Sequence, residues 1–556
     1  QEDHSSRAGK SQTEGGRQQT SEASPAGVHS LAVLLMELQP GADGPQILAA
    51  DALYQLGRVE EAYRLLLLSI GPSAPQAPVL VRLILLQLHR GFLYDTNQLL
   101  KKLIQCGDTS CLRPLLAFAK QKDRALLQAR CHSAAKRILE CATEESAIRE
   151  AVGYLSIAII IAGGEAADSL LERARCYAVL GQRKTAIFDF SAILKEHPKH
   201  VQALCGRGFT YLLLNQQKEC IHDILGALQI NTDEVTKDLL SLKDRTRKLV
   251  CDWLHEFCRS SLSDILVADA APCHEDRLRE ASIVCAALKR TDCAAPRWHL
   301  LCVDILLAKG EVKTAGAYLS QVFTQEPRDA AAQARAGVLE AWQHNYCGAA
   351  RRLCKLAEKE PSCLDFLLAL IPAHQRKQVA KAAAQDASSA SSDGSWDRAL
   401  PLLTVAIQAA DKQRLRYLRQ RAACLARLGL HERTIADLDG VIQKHGCSDE
   451  SFWAEDLCRR GHSLVLCSRE GPALEDYSRA LELHREQTVK CVDEGLGGLR
   501  VAECFLRGAL QHYGEQQLSK AWALIECGLV LDGNNAELRR LRAKVKREVA
   551  SPCNVN

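Results

Sequence analysis

The sequence contains one methionine among its 556 residues, and aromatic side chains make up only 5% of it. Its longest apolar run, at 154–162, is about half the ~20 residues that a membrane-spanning helix needs. Acidic and basic residues nearly cancel, with 71 Lys and Arg against 67 Asp and Glu. We therefore expect no membrane span, and we do not expect nucleic-acid binding to be the purpose of the whole chain.

The signatures of several enzyme classes are also missing. The phosphate-binding pattern GxxxxGK[ST], the hydrolase pattern GxSxG and the zinc-protease pattern HExxH do not occur. The glycine-rich stretch 495–498 lacks the preceding strand that a dinucleotide-binding loop requires. We therefore expect neither catalytic residues nor a cofactor, and we predict that the protein is not an enzyme.

Cysteine, in contrast, is abundant, with 24 residues. Disulfide frameworks are typical of short, loop-rich secreted domains, whereas these cysteines are scattered through helix-like segments of a long chain. The pattern predicts reduced thiols and a cytoplasmic or nuclear location.

A 34-residue period runs through the chain. When 171–198 is shifted by 34 residues, Ala174 aligns with Gly208 and Tyr177 aligns with Tyr211. Small residues recur at the eighth and twentieth places of each unit, where two paired helices approach closely, and glycine recurs at the fifteenth, where a left-handed turn residue is needed. This pattern resembles the tetratricopeptide repeat family, whose unit is a 34-residue helix-turn-helix.

The resemblance implies an all-α fold, a right-handed α-solenoid or superhelix of about eleven helix-turn-helix units. Eight units follow the repeat columns closely: 43–76, 77–110, 167–200, 201–234, 296–329, 330–363, 415–448 and 454–487. Three weaker units are 132–164, 380–414 and 502–535.

Composition and repeat register together predict the organisation of the chain. The expected segments are a disordered N-terminal segment at 1–27, a repeat block at 28–234, an irregular helical spacer at 235–295, a middle repeat block at 296–379, an Ala- and Ser-rich loop at 380–395, a C-terminal repeat block at 396–535, and a capping helix with a tail at 536–556.

The resemblance implies a scaffold that binds partner peptides or helices in a concave groove lined by the first helix of each unit. In the C-terminal block the expected groove residues are basic and partly aromatic, which suits an acidic peptide; a solvated helix face is the alternative. In the N-terminal block the groove is expected to be apolar, and either a hydrophobic helix or the chain itself could cover it. The predicted groove residues are Arg416, Arg419, Arg427, Arg459, His462, Arg507, Tyr513, Phe209 and Leu212.

Some members of this family bind the C-terminal carboxylates of chaperones through a Lys at the fifth place and an Asn at the ninth. Here these two places hold Leu171 and Arg175 in one unit and Cys205 and Phe209 in the next. In a third unit they hold Arg419 and Ala423. The carboxylate clamp is absent as a pattern, and chaperone-tail binding is not expected.

Two other functions stay open. Related helical repeats bind RNA one base per repeat, which requires a basic concave face along the whole array. Cys251, His255 and Cys258 lie on one face of a helix, which is a weak indication of a zinc site. An apolar stripe runs one residue before each of them, so buried packing is the favoured interpretation of these cysteines.

Arginine recurs at the seventh place of four units, as Arg173, Arg207, Arg421 and Arg460. A charged ladder for a partner is one interpretation of this column. We expect instead that the stem of each arginine packs at the edge of the core while its head caps neighbouring backbone carbonyls.

Overall fold

The computed structural model describes residues 24–68, 70, 75–141, 144–163, 166–267, 274–323, 329–410, 412–444 and 450–550. Within these ranges the regular elements are 30 helices, and there is no strand. None of the helices found there is long and apolar enough to cross a membrane. The chain divides into two compact units, 1–253 and 254–556.

The first unit contains the helices up to the first part of α14. They are α1 (Pro25–Leu38), α2 (Asp43–Gln55), α3 (Val59–Leu68), α4 (Ala77–His89), α5 (Leu93–Cys106), α6 (Leu112–Phe118), α7 (Gln121–Cys141), α8 (Glu145–Ala162), α9 (Ala167–Val179), α10 (Arg183–Glu196), α11 (Val201–Leu213), α12 (Gln217–Ile230), α13 (Thr232–Ser241) and α14 (Asp244–Val267).

The second unit contains the rest of α14 and all later helices. They are α15 (His274–Thr291), α16 (Pro296–Ala308), α17 (Val312–Val322), α18 (Ala330–Trp342), α19 (Tyr346–Lys359), α20 (Pro361–Ala369), α21 (Ala373–Ser392), α22 (Trp396–Ala409), α23 (Arg414–Arg427), α24 (His431–Ile442), α25 (Glu450–Leu466), α26 (Glu470–Leu483), α27 (Arg485–Glu494), α28 (Gly498–Gly514), α29 (Leu518–Leu531) and α30 (Ala536–Ala550).

Each of the eleven predicted repeats is a pair of consecutive helices that pack on each other. The pairs are α2/α3, α4/α5, α7/α8, α9/α10, α11/α12, α16/α17, α18/α19, α21/α22, α23/α24, α25/α26 and α28/α29. The second helix of one pair also packs on the first helix of the next, as α10 does on α11 and α24 does on α25. The predicted all-α fold of repeated helix pairs is confirmed.

The small residues of the repeat columns lie where the paired helices cross. The twentieth place is an alanine with no exposed surface in six units: Ala62, Ala186, Ala315, Ala349, Ala473 and Ala521. At the eighth place, a Cβ atom added to Gly461 would lie 2.9 Å from the ring of Tyr477. A larger residue at this place would push the two helices apart, because the ring of Tyr477 already contacts the backbone at Gly461.

The turn between the paired helices has a left-handed residue at the fifteenth place in ten units. Six of these residues are glycines with φ between +73° and +82°, namely Gly57, Gly91, Gly181, Gly310, Gly394 and Gly429. The other four are Asn215, His344, Ser468 and Gln516, with φ between 58° and 65°. The repeat therefore imposes this conformation even where no glycine is present to adopt it freely.

Two predicted boundaries differ from the structure. The loop expected at 380–395 is wrong, because 380–392 belong to α21 and only the turn around Gly394 is non-helical. Alanine is the best helix former, and Ala380 and Ala383 are buried in the packing of this helix. At the N-terminus, α1 begins at Pro25 rather than near Val28, since proline is well suited to the first turn of a helix.

The remaining boundaries fall as follows. The prediction of disorder for 1–23 lies outside the described residues, as do the last residues of the predicted tail, 551–556. The predicted spacer at 235–295 contains most of α13 and all of α14 and α15, and the division between the two compact units falls inside α14.

Candidate partner-binding surfaces

The arginines at the seventh place each form a two-pronged ion pair with a buried aspartate at the twenty-third place of the same repeat. In one repeat, Nε and Nη2 of Arg207 donate to the two carboxylate oxygens of Asp223 at 2.7 and 2.8 Å. The matching donor–acceptor distances in the other three repeats lie between 2.6 and 2.8 Å. The four pairs are Arg173–Asp189, Arg207–Asp223, Arg421–Asp437 and Arg460–Asp476.

The third nitrogen of each guanidinium reaches the preceding repeat. Nη1 of Arg207 donates to Oγ of Ser191 at 3.1 Å, and Nη1 of Arg460 donates to a carboxylate oxygen of Asp439 at 2.6 Å. Each arginine thus joins three helices, so the predicted capping of backbone carbonyls is wrong. The carboxylate sixteen residues further on was the sequence signal that could have shown it.

A second recurring ion pair links consecutive repeats. Asp51 and Asp304, at the ninth place, accept hydrogen bonds from Arg82 and Arg335 at the sixth place of the next repeat. The distances are 3.0 and 3.1 Å in the first pair and 2.7 and 2.9 Å in the second. These charges on the first helices are therefore satisfied within the chain.

Several predicted groove residues in the C-terminal block are likewise held by partners within the chain. Arg419 donates to the buried carboxylate of Asp456, with the shortest distance 2.8 Å. Arg507 donates to both carboxylate oxygens of Glu470, at 2.7 and 3.1 Å, and the hydrogen bond lowers the pKa of that carboxyl. Two further predicted residues bond to glutamates: Arg459 pairs with Glu455, and the hydroxyl of Tyr513 donates to Glu548.

His462 is a packing residue rather than the predicted groove residue. Its ring centroid lies 5.7 Å from that of Tyr477, and a Cβ atom added to Gly495 would lie 2.2 Å from the imidazole. Burial, assisted by the charge of Arg459, lowers the pKa of His462 to about 4. The imidazole is therefore neutral at pH 7 and is not available as a basic contact.

Arg416 and Arg427 are exposed, as are Arg459 and Arg507, but they differ from those two in their partners. No ion pair or side-chain hydrogen bond involves either of them within the part of the chain that the structure describes. Their charges are available to a partner, unlike that of Arg419.

The predicted apolar groove of the N-terminal block is largely core. Leu212 is 4% exposed, and Leu171 and Cys205 at neighbouring groove places are also buried. Phe209 is half-buried, whereas Leu213, the next residue after Leu212, is 48% exposed. The apolar residues expected on this surface mainly pack between helices.

A basic cleft lies between α21 and α23, the first helices of two consecutive repeats. Its volume is about 300 Å³, and the described residues that line it include three exposed lysines and no carboxylate. These residues are Lys377, Gln378, Ala380, Lys381, Ala410, Lys412, Gln413 and Tyr417. The cleft was not predicted, because part of α21 was expected to be a loop.

The three residues considered for zinc lie in helix packing. Cys251 and Cys258 are buried, and the ring centroid of His255 lies 5.5 Å from that of Trp298. Burial raises the pKa of Cys258 to about 12, which disfavours the thiolate that a metal needs. Among the described residues there is no group of three His, Cys, Asp or Glu side chains that could hold a metal ion.

Comparison with known proteins decides the family. Tetratricopeptide repeat protein 34 of Xenopus laevis is 41% identical to this chain over 531 residues, covering 96% of the chain and 94% of the relative. The human protein of that name is 40% identical over 561 residues and covers 99% of both chains. The chain belongs to the tetratricopeptide repeat protein 34 family. A mouse member of this family is 37% identical over 544 residues, covering 97% of the chain and 98% of the relative.

Other comparisons add little to this family assignment. No family model matches the chain. A solved tetratricopeptide repeat protein from Parabacteroides merdae is 18% identical, covers 53% of this chain and 99% of its own, and has a TM-score of 0.21. We draw nothing about the arrangement of the helices from a likeness of that size.

Proposed function

We propose that the protein is a non-catalytic interaction scaffold whose C-terminal block binds acidic peptide segments at the basic cleft between α21 and α23. The observation that carries the proposal is the set of three exposed lysines, Lys377, Lys381 and Lys412, around one cleft. Membership of a tetratricopeptide repeat family supports the general role, since stacked helix pairs expose a long surface of first helices to partners.

The cleft lysines differ from Arg419 and Arg507 in having no ion pair among the described residues. Arg419 and Arg507 form ion pairs within the chain, so a partner carboxylate would have to compete with Asp456 and Glu470. No ion pair involves the three cleft lysines within the described ranges. An acidic ligand therefore gains their attraction without breaking an existing pair.

The cleft also has the mixed character of a peptide site. The alkyl stems of the lysines and the half-buried Ala410 provide its apolar surface, because the lining residues Ala380 and Tyr417 are only 2% and 4% exposed. Arg416, next to Tyr417 on α23, is exposed and adds a further positive charge to that helix. A short segment that alternates acidic and apolar residues matches this surface in both charge and polarity.

The test is a fluorescence anisotropy titration of the full chain with a labelled acidic peptide that alternates Glu with Leu or Phe. We expect a variant with Lys377→Gln, Lys381→Gln and Lys412→Gln to bind roughly tenfold more weakly, because each exposed pair contributes about 0.2–1 kcal/mol. A control variant with Lys520→Gln, Lys544→Gln and Lys546→Gln makes the same change of charge at exposed sites on α29 and α30.

Two results would count against the proposal. Equal weakening in both variants would show attraction by net charge without a site. Tighter binding of single-stranded RNA than of the acidic peptide, lost in the cleft variant, would favour the helical-repeat RNA-binding function instead.

We also propose a reducing compartment, either the cytoplasm or the nucleus. The support for it is that the 21 described cysteines are all free thiols, many of them in the packing between helices.

A further inference from the structure

The repeat at 296–329 departs from the Arg–Asp pattern at both of its places. Its seventh place holds Cys302 on α16 and its twenty-third place holds Tyr318 on α17. Lys289, on the preceding helix α15, supplies a cation instead, with Nζ 3.7 Å from Sγ of Cys302 and 3.5 Å from Oη of Tyr318. An ammonium thus contacts a thiol where four other repeats pair a guanidinium with a carboxylate.

Hydrogen bonds around Tyr318 orient this ammonium. Nε2 of His299 lies 2.9 Å from the carbonyl oxygen of Cys293, so it carries the proton and donates. Nδ1 of His299 then accepts from the hydroxyl of Tyr318 at 2.7 Å. The free lone pairs of the Tyr318 oxygen are left to accept from Lys289, which also lies 5.1 Å from the centroid of the tyrosine ring.

A second thiol lies against the first. Cys285, one helical turn before Lys289 on α15, is buried, and its thiol lies 3.5 Å from the carbonyl oxygen of Trp298. Its thiol neighbours that of Cys302, and this interaction raises the pKa of Cys285. The neighbouring Cys285 thiol and the ammonium of Lys289 lower the pKa of the Cys302 thiol despite its partial burial. Cys302 therefore has two features of a reactive cysteine: a cation in contact and partial exposure.

We propose that Cys302 is a modification site for hydroperoxides and that Cys285 is its resolving thiol. The Cys302 thiolate attacks the terminal oxygen of the hydroperoxide, so that an S–O bond forms, the O–O bond breaks, and the leaving oxygen takes a proton from water. The sulfur of Cys285 then attacks the sulfur of Cys302, which forms the disulfide and releases water with the Cys285 proton. The two thiols lose two electrons, and the hydroperoxide is reduced by two.

The same unit offers an internal control of similar chemistry. The thiols of Cys458 and Cys491 are also neighbours, but they are 0% and 8% exposed, whereas Cys302 is half-buried. A hydroperoxide in solution is therefore expected to reach Cys302 first. Reaction of this pair at the same rate would indicate oxidation of an unfolded chain.

The test uses the reduced full chain, hydrogen peroxide and differential alkylation read by mass spectrometry. In wild type we expect a Cys285–Cys302 disulfide as the first product. In a Cys285→Ser variant we expect instead a Cys302 sulfenic acid that dimedone traps. Absence of both products while Cys106 or Cys347, which are exposed, becomes oxidised would overturn the proposal.

The role of Lys289 is separated from folding by two variants and a pH profile. At about pH 6, where an ordinary thiol is almost fully protonated, we expect iodoacetamide to modify Cys302 roughly tenfold faster than exposed cysteines. Lys289→Met should remove this advantage and move the half-maximal rate to higher pH, whereas Lys289→Arg should retain most of it. Unchanged profiles in Lys289→Met, with unchanged circular dichroism, would contradict the assignment.

Discussion

The ion pair between Arg207 and Asp223 provides a direct test of what stabilises the repeats. Asp223 is 1% exposed and accepts two charge-assisted hydrogen bonds from the guanidinium, whose side chain is 21% exposed. In the variant Arg207→Met, the apolar stem is retained but the carboxylate is left buried without its partner. Removing one member of a buried pair costs about 3–5 kcal/mol, and we expect about 2–4 kcal/mol here because water can reach the vacated side.

The double variant distinguishes an uncompensated charge from lost packing. In Arg207→Met with Asp223→Leu no charge remains to be solvated, so we expect a stability within about 1–2 kcal/mol of wild type. The difference between the double variant and the sum of the single variants should be at least about 2 kcal/mol in favour of the pair. A matched surface control is Arg149→Met, whose exposed pair with Glu145 should contribute less than about 0.5 kcal/mol.

The assay must report local stability, because stacked repeats need not unfold in one step. Hydrogen–deuterium exchange of peptides from α11 and α12 measures the free energy of opening at this repeat. Additive losses in the two single variants, or a double variant as unstable as Arg207→Met, would refute the reasoning. The pair would then contribute through packing of its stems and not through compensation of a buried charge.

Two further predictions concern the turns and the buried histidine. Gln516 and Gly429 both have positive φ, a conformation that is unfavourable for a residue with a Cβ atom and free for glycine. We therefore expect Gln516→Gly to stabilise its repeat by about 1 kcal/mol and Gly429→Ala to destabilise its repeat by a similar amount. A Cβ at Gly429 meets no neighbouring atom, so a clash does not contribute, and hydrogen exchange of each repeat measures both changes. The pKa of His462 in the folded chain, about 4, lies below its ordinary value of 6.5. The contribution of this histidine to folding stability is therefore fully present above pH 6.5 and is lost as the pH falls towards 4. Between about pH 7 and pH 4.5, the free energy of opening of wild type should fall by roughly 2 kcal/mol more than that of His462→Gln. Hydrogen exchange at α25 and α26 measures this difference, and equal losses in the two proteins would contradict it.

The repeat period could be predicted because it follows from local requirements that every unit shares. A small residue at the helix crossing and a left-handed turn residue are each visible in the sequence as a column. The pattern is robust to exceptions, as Gln516 shows by adopting the turn conformation without being glycine. The prediction of a loop at 380–395 is wrong because the serines of this segment do not outweigh its alanines, and Ala is the strongest helix former.

The candidate sites were less predictable because they depend on which distant charges meet. Arg419 and Arg507 have the composition of groove residues, but their partners Asp456 and Glu470 lie 37 residues away on neighbouring helices. Four Arg–Asp pairs sixteen residues apart were detectable in principle, since both members recur in register. The contact of Lys289 with Cys302 has no such signal, because it occurs in one repeat only.

The central claim is that an acidic peptide binds at the basic cleft, and photo-crosslinking locates the site most directly. A Glu-rich peptide that carries a benzophenone group is irradiated with the full chain, and the crosslinked residues are identified by mass spectrometry. We expect crosslinks on α21 and α23 around Lys377, Lys381 and Tyr417, which disappear in the triple lysine variant. Crosslinks spread over other basic helices such as α30, unchanged in that variant, would contradict it.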